Sequence, residues 1–375
     1  MIKKIFFALV LFLLCMPNAI ASKISQEKSI ITGSSIWISA EELANLPTTG
    51  PAWENMKRVA DTPTGLPKIS DQSNMVDVQT MAKALVYTLL HEKRYREEVI
   101  NNIFMAIGTE WGARTIALGK NLTGYIIAAD LVGLPPEKDR RFKEWLRGLL
   151  TRDFKGKTII STNEKRPNNW GTSTGSVRAA IAVYLGDDNE LQRTALVFKG
   201  YLGDRKAYSG FKFKHVNWWQ ADPYKPVGIN PKGATKIGYS IDGVLPDDQR
   251  RSGPFTWPPP KENYVYTGLQ GAVSQAVILY RAGYSNVWKW ENKALFRAFQ
   301  WLYDVAHFPP KGDDTWLPYV INYYYGTHFS SRVPSKPGKI VGWTDWTHGP
   351  WRKRLSRLKK SPSMPEYHGT KKGRY

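Results

Sequence analysis

The feature that most constrains this fold is a series of apolar stripes with the spacing of α-helices. The first clear stripe comprises Val78, Met81, Ala82, Leu85, Val86 and Leu89. Because residues three and four apart share one face of an α-helix, this spacing predicts an amphipathic helix that packs against neighbours. Similar stripes predict helices over residues 94–107, 112–132, 136–149, 177–184, 189–201, 264–280, 295–306 and 313–327. Helices in this number, joined by short turns, predict an all-α fold in which helix hairpins close into an incomplete α/α toroid.

Two segments depart from this pattern. Residues 22–75 contain four prolines and are predicted to wrap irregularly around the domain. A short helix from Ser39 to Leu46 is expected there, with a capping box at Ser39 and Glu42. Residues 202–262 lose helical periodicity, and so long a loop region is usually functional or disordered. Its aromatic content argues against disorder, and the alternation from Phe211 to Val216 predicts a short strand, the minor β content of the fold.

The first residues have the pattern of a secretory signal peptide. A lysine-containing start is followed by an apolar run from Ile5 to Met16 and by small residues ending at Ala21. The run is too short to span a bilayer, so the mature chain is predicted to have no membrane span. The single cysteine, Cys15, lies inside the run, and the mature chain therefore has no disulfide. We expect export, most simply to a bacterial periplasm.

These patterns divide the chain into four parts. The predicted parts are a signal peptide over 1–21, an N-terminal wrapping segment over 22–75, an α/α-toroid domain over 76–350, and a basic tail over 351–375. The tail holds nine lysines and arginines against the single acidic Glu366, and such a charge run predicts a solvated, disordered segment.

The charge balance points to an acidic partner. The chain has a formal net charge of +21, with 15 tryptophans and 19 tyrosines. Charge of one sign concentrates ligands of the opposite sign, and aromatic faces beside cations suit sugar rings that carry carboxylates. In an exported protein we therefore expect an acidic polysaccharide, and nucleic acid is not the expected partner. No GxGxxG, P-loop, HExxH or Cys/His cluster occurs, so neither a cofactor nor a metal is predicted.

A pair of asparagines stands just before the predicted helix that carries the apolar stripe from Val177 to Tyr184, and that helix is expected to begin at once after them. The sequence there is Arg166-Pro167-Asn168-Asn169-Trp170. An asparagine in this position can donate hydrogen bonds from its side-chain NH2 to a carboxylate, with the positive end of the helix dipole behind it. The alternative interpretation is that Asn168 and Asn169 only turn the chain and cap the helix.

This motif and the residues that follow it resemble the alginate lyase superfamily. The residues concerned are Asn168-Asn169-Trp170-Gly171-Thr172, His215, Arg250-Arg251, Tyr264 and Tyr266. Members are exported α/α-toroid polysaccharide lyases with an Asn-Asn-His motif, a later Arg and a Tyr near the start of an inner helix. The resemblance covers roughly residues 75–330. Trp170 stands at the histidine position, so we expect a divergent member in which His215 replaces that histidine.

The resemblance implies cleavage of a uronic acid polymer, alginate (polymannuronate) or glucuronan, by β-elimination. The proton on C5, beside the carboxylate, is removed, and the bond from C4 to the glycosidic oxygen breaks. Preorganised donors must neutralise the carboxylate, and an acid–base group must move the proton. The implied catalytic residues are Asn169, His215, Tyr264 and Tyr266, and Tyr266 is expected to have a lowered pKa. The implied substrate-binding residues are Asn168, Trp170, Arg250, Arg251, Trp218, Trp219 and Trp257.

Other interpretations stay open. Tyr266 shares a helix face with Leu269 and Val273, which is equally typical of a core residue. A glycoside hydrolase on the same toroid would need two carboxylates flanking the cleaved bond. Asp242, Asp247, Asp248 and Glu262 could provide them. A non-catalytic binder of acidic polysaccharide would keep the basic groove alone. His348 is a further candidate, while Asp247-Asp248 and Asp313-Asp314 are more typical of caps and turns than of metal ligands.

Overall fold

The computed structural model describes residues 35–331 and 337–352. The predicted signal peptide over 1–21 lies outside the described residues, as do residues 22–34 of the wrapping segment and 353–375 of the predicted tail. Within the described ranges, no helix combines the length and the apolar character needed to cross a bilayer.

Helices dominate the described chain, as the apolar stripes predict. The helices up to residue 202 are α1 (Ala40–Leu43), α2 (Pro51–Asp61), α3 (Val76–Leu90), α4 (Lys93–Ala106), α5 (Thr115–Val132), α6 (Pro136–Thr151), α7 (Ile159–Lys165), α8 (Asn169–Leu185) and α9 (Asp188–Leu202). The later helices are α10 (Val216–Trp219), α11 (Pro246–Gln249), α12 (Asn263–Arg281), α13 (Trp290–Gln300), α14 (Leu317–Tyr325) and α15 (Thr344–Thr347). Two antiparallel pairs, β1 (Thr235–Lys236) with β2 (Tyr239–Ser240) and β3 (Gly338–Lys339) with β4 (Val341–Gly342), supply the minor β content.

Two local predictions are wrong. The predicted strand from Phe211 to Val216 does not form, because the backbone N–H of Lys212 bonds the Lys165 carbonyl (2.9 Å) instead of a partner strand, and Val216 begins α10. Part of the segment predicted to be irregular forms α2. Its first residue is Pro51, at the position where a missing N–H and a fixed φ favour a helix start.

The inner layer of the fold contains α5 and α8 side by side. Gly119 of α5 lies against Ser173 of α8, so closely that a Cβ at Gly119 would sit 2.9 Å from the Ser173 Cβ. About one turn further along both helices, the Thr123 and Ser176 hydroxyls hydrogen-bond at 3.2 Å. Since both contacts advance in the same direction along the chain, α5 and α8 are parallel and begin at the same end of the domain.

The same relation holds between α8 and α12. Gly271 of α12 packs on the backbone of Thr172, and three residues later the Ser274 hydroxyl bonds that of Ser176. The N-terminal ends of α5, α8 and α12 therefore meet at one end of a toroid-like arrangement. Helices such as α6, which bury one face only, return the chain on the outside.

The long loop region is ordered by buried polar groups. The Asn230 side chain donates to the carbonyls of Trp219 (2.9 Å) and Ile241 (3.2 Å) and accepts from the Ala221 N–H (3.2 Å). Arg297 of α13 bonds the Asn230 carbonyl at 2.7 Å. These contacts satisfy loop backbone groups that no helix or sheet pairs, which explains how so long a segment stays packed.

The described part of the N-terminal segment is attached to the far end of α12. Arg281 donates to the Ser35 carbonyl (2.7 Å) and pairs with Glu42 (2.9 Å). Ser39 and Glu42 form the predicted capping box at the start of α1. Both arginine contacts lie at the C-terminal end of α12, and they fix this segment away from the Asn168-Asn169 end.

The close approach of α8 and α12 yields a stability prediction. In Gly271→Ala the new methyl group collides with the Thr172 backbone, so we expect a loss of about 1–3 kcal/mol in the free energy of unfolding. Gly148→Ala is the matched control, because this exposed glycine of α6 has room for a methyl group and alanine favours helix by about 0.5–1 kcal/mol. Urea denaturation measures both. Equal stability of the two variants would contradict the proposed packing.

Candidate functional site

The site begins at the N-terminus of α8. Asn168 caps this helix, because its side-chain oxygen accepts from the Trp170 N–H at 3.1 Å. Its Nδ2 donates to the Asp247 carboxylate at 2.8 Å. The capping interpretation is therefore confirmed for Asn168. Both the oxygen and the nitrogen of the Asn168 amide are hydrogen-bonded within the protein, so this side chain holds the site together.

Asn169 is the first residue of α8 and differs from its neighbour. Its backbone N–H donates to Asp248 Oδ1 at 3.0 Å, while the side chain is 3% exposed. Among the described residues, its buried Oδ1 has no hydrogen-bond partner. A buried amide oxygen without a partner is rare and costly, which makes this side chain a candidate for contact with a ligand.

Asp248 lies directly behind Asn169 and is fully buried. Gly268 of α12 makes room for it, since a Cβ there would collide with the Asp248 carboxyl. Burial raises the pKa of Asp248 well above its usual range, and the charge of Asp247 adds to this effect, while Arg250 and Arg251 oppose it. Its Oδ2, like Asn169 Oδ1, has no partner in the described chain. A proton on Asp248 would turn its unpaired Oδ2 from an acceptor into a donor.

Asp247 joins the remaining segments. Arg250 donates to both of its oxygens, from Nε at 2.8 Å and from a terminal nitrogen at 3.1 Å. The Lys214 N–H also reaches this carboxylate at 3.2 Å, beside the Asn168 amide. Two neighbouring carboxyl groups thus hold the start of α8, the His215 loop and Arg250 in one cluster.

Tyr264 and Arg251 face solvent beside this cluster. Tyr264 lies in the first turn of α12 and is 40% exposed, and the Arg251 guanidinium stacks 4.2 Å from its ring centroid. Tyr264 and Gly268 are four residues apart and so share one helix face. Because Gly268 touches Asp248, Tyr264 lies on the side of α12 that faces Asn169. The structure therefore brings Asn169, Arg251 and Tyr264 into the same region.

Tyr266 does not belong to this accessible group. It is 1% exposed, and its hydroxyl donates to the Phe308 carbonyl. Burial raises the pKa of Tyr266 far above its usual value. The expectation of a lowered pKa is wrong, because the ring lies in the core and away from the cationic surface.

The aromatic residues of the long loop divide into two groups. His215 is exposed and stacks on the half-buried Trp218, with ring centroids 4.2 Å apart. Trp257 is half-buried and stacks on Tyr239 at 4.4 Å. Trp219, by contrast, is fully buried and donates to the Gly253 carbonyl at 3.0 Å. The expectation that Trp219 is a sugar platform is wrong, because no face of it is accessible.

His348 lies far from this region. It packs against Trp37 and Tyr323 and is 3% exposed, and burial together with Arg352 lowers its pKa well below the usual value. Its neighbour Tyr324 contacts Tyr280 near the C-terminal end of α12, about 24 Å along that helix from Tyr264. His348 is therefore not part of the cluster at Asn169.

The carboxylates of the hydrolase alternative are already engaged. Asp247 is paired with Arg250, Asp242 with Arg297, and Asp248 is buried behind Asn169. Glu262 accepts from the Tyr264 N–H (2.9 Å) and caps α12. In the described ranges, no three histidine, cysteine or acidic side chains are grouped so that they could hold a metal. The arrangement offers cationic and amide donors rather than a free pair of carboxylates.

Part of the chain matches a known protein family. A family model described as alginate lyase matches residues 79–207, a segment that contains α5, α8 and the Asn168-Asn169-Trp170 motif. It ends before His215, Arg250 and Tyr264. A search of curated proteins found no match. Over the matched segment the chain is therefore similar to alginate lyases, which supports polysaccharide lyase activity in general terms.

The Asp248 environment gives a testable result. Asp248→Asn can accept from the Asn169 N–H and donate from its amide, as a protonated carboxyl group can. We therefore expect the free energy of unfolding near pH 4, where the folded wild type carries the protonated carboxyl, to stay within about 1 kcal/mol of the wild type, whereas Asp248→Ala should lose about 1–3 kcal/mol.

The pH dependence supplies the control. A carboxyl whose pKa is higher in the folded chain than its model value of 3.8 binds its proton more tightly when folded, so stability falls as pH rises above 3.8 toward the folded value. Asp248→Asn has no titrating group at this position, so its stability does not decrease in this way as the pH rises. Its stability relative to the wild type should therefore increase from pH 4 to pH 7 in chemical denaturation, and a constant difference would contradict a raised pKa.

Proposed function

We propose that this protein is a polysaccharide lyase that cleaves a uronic acid polymer, polymannuronate or glucuronan, by β-elimination. The observation that carries the proposal is the cluster around Asp247 and Asp248. It joins the buried Asn169 amide at a helix N-terminus to exposed Arg251 and Tyr264. The match of the alginate lyase family model over α5 and α8 supports the same reaction class.

Carboxylate neutralisation is the first requirement of this reaction. The C5 proton is very weakly acidic while the adjacent carboxylate is charged, because removing it builds up further negative charge. In the proposal, the Asn169 NH2 donates to that carboxylate, and the positive end of α8 stabilises it further. Arg251 is exposed and stacked on Tyr264, so its guanidinium can contact the same carboxylate.

Proton transfer is the second requirement. Of the two tyrosines in the first turn of α12, we assign it to Tyr264, because its exposed ring lies beside Arg251. In this step the deprotonated Tyr264 oxygen takes the C5 proton, the bond from C4 to the glycosidic oxygen breaks, and the hydroxyl so formed gives a proton to the leaving oxygen. His215 is exposed and stacks on Trp218. In the proposal, His215 contacts the sugar from the side of the site that the long loop forms. Trp257 completes the proposed binding surface. Arg250 contributes indirectly, because it holds Asp247 in place.

The cellular setting is part of the proposal. The sequence pattern before Ala21 supports export and removal of a signal peptide, and the net positive charge supports an anionic polymer as the substrate. We propose a periplasmic enzyme that meets its polymer outside the cytoplasm.

Tyr264→Phe tests the proposal against a matched control in the same helix turn. It removes the proposed acid–base hydroxyl, and we expect cleavage to fall by about 10²–10⁴-fold. Tyr266→Phe should keep its cleavage rate and lose about 1–3 kcal/mol of stability, because the buried Phe308 carbonyl loses its donor. Ultraviolet absorbance of the new C=C bond is recorded with polymannuronate, polyguluronate, glucuronan and hyaluronan.

Two outcomes would overturn the proposal. New reducing ends without ultraviolet absorbance indicate hydrolysis. Binding of the polymers without any cleavage indicates a non-catalytic binder, in which Tyr264→Phe also changes nothing. A larger loss of cleavage in folded Tyr266→Phe than in Tyr264→Phe would reject the assignment of the tyrosine while keeping the reaction class.

A further inference from the structure

Trp170 stands beside Asn169 and contacts two arginines from different segments. The Arg166 guanidinium lies 4.5 Å from its ring centroid and the Arg114 guanidinium 5.5 Å. Arg114 directly precedes α5 and Arg166 directly follows α7, so three chain segments converge on one indole ring. We call Arg114, Arg166 and Trp170 the arginine–tryptophan cluster.

The charge of this cluster is not compensated by an ion pair. Arg114 is exposed and Arg166 is half-buried, whereas the buried Arg178 and Arg297 are paired with Glu164 and Asp242. Within the described ranges, neither Arg114 nor Arg166 lies within ion-pair distance of a carboxylate. Burial lowers the pKa of Arg166, and the nearby Asp247 carboxylate opposes this effect. A ligand carboxylate at the cluster would stabilise the guanidinium charge further.

An exposed aromatic residue lies in the same loop as Arg114. Trp111 is 90% exposed, and it precedes Arg114 by three residues in the loop before α5. A tryptophan so exposed leaves a large apolar face in water, on which a sugar ring could stack. The loop before α5 thus carries an exposed ring three residues before Arg114.

We propose that Trp111, Arg114, Arg166 and Trp170 form a binding subsite for the uronate residue next to the one whose bond is cleaved. The proposal rests on the proposed function and adds to it the recognition of a second sugar. The sugar ring stacks on Trp111, and its carboxylate lies between the Arg114 and Arg166 guanidinium groups. The ligand class is a polymer with a carboxylate on successive sugars, and a neutral polysaccharide does not fit this site.

Binding to the full mature chain carrying Tyr264→Phe tests the subsite without turnover. Isothermal titration calorimetry with mannuronate oligomers of increasing length gives the dissociation constant. Adding Arg114→Gln or Trp111→Ala should weaken binding of the longer oligomers by about tenfold, the loss of roughly one charge-assisted hydrogen bond or stacking contact. The shortest oligomer, which occupies the cleavage position alone, should bind unchanged.

Arg141→Gln is the matched control. Arg141 is also exposed, and its guanidinium also lies 5.5 Å from an aromatic centroid, that of Phe104 on α4. Arg141→Gln removes the same charge at a position outside the cluster, so the dissociation constant should equal that of the protein carrying Tyr264→Phe alone. Thermal melts confirm that each variant is folded. Equal weakening by Arg114→Gln and Arg141→Gln would overturn the subsite in favour of general charge attraction.

The outcomes separate the subsite from the reaction. If Arg114→Gln weakens binding but the wild-type protein never yields an unsaturated product, the proposed subsite stands and the proposed lyase activity is rejected. Elimination in the wild type with no effect of Arg114→Gln or Trp111→Ala on longer oligomers would keep the lyase and reject the subsite. Equal binding of neutral oligosaccharides of matched length would also reject it.

Discussion

The candidate site depends on two adjacent carboxyl groups, Asp247 and Asp248, that hold otherwise separate segments together. Asp247 pairs with Arg250 and accepts from the Asn168 amide, while Asp248 accepts from the Asn169 N–H. Acidic groups belong at the start of α8, because the helix dipole leaves positive charge there. The same two residues bring the long loop and α12 to that helix end, and without them no cluster would exist.

This arrangement explains how a strongly basic protein can present an uncharged donor at the centre of its site. The buried Asp248 favours its protonated form, and Asn169 keeps an amide oxygen without a partner in the described structure. The exposed cations, Arg251 and Arg114, lie around this centre. A uronate carboxylate therefore meets amide and guanidinium donors together, which is the environment in which loss of a neighbouring proton becomes feasible.

The sequence predicts the scaffold better than the site. Apolar stripes locate the helices because burial repeats every three to four residues, and the Ser39 capping box is visible for the same local reason. Tyr264 and Tyr266 illustrate the limit. The two side chains are about 200° apart around α12. Only Tyr266 continues the apolar stripe of Leu269 and Val273, so the residue spacing alone predicts that Tyr266 is buried. The pairing of Asp248 with Asn169 joins residues 79 positions apart, and no local pattern encodes it.

The central claim is that this site removes the proton at C5 of a uronate, and the fate of that hydrogen tests it most directly. The wild-type protein is incubated with polymannuronate or glucuronan that carries deuterium at C5, and the products are analysed by mass spectrometry and NMR. The account predicts unsaturated products from which the label has passed to water. Products that retain deuterium at C5 and have gained a molecule of water would contradict it.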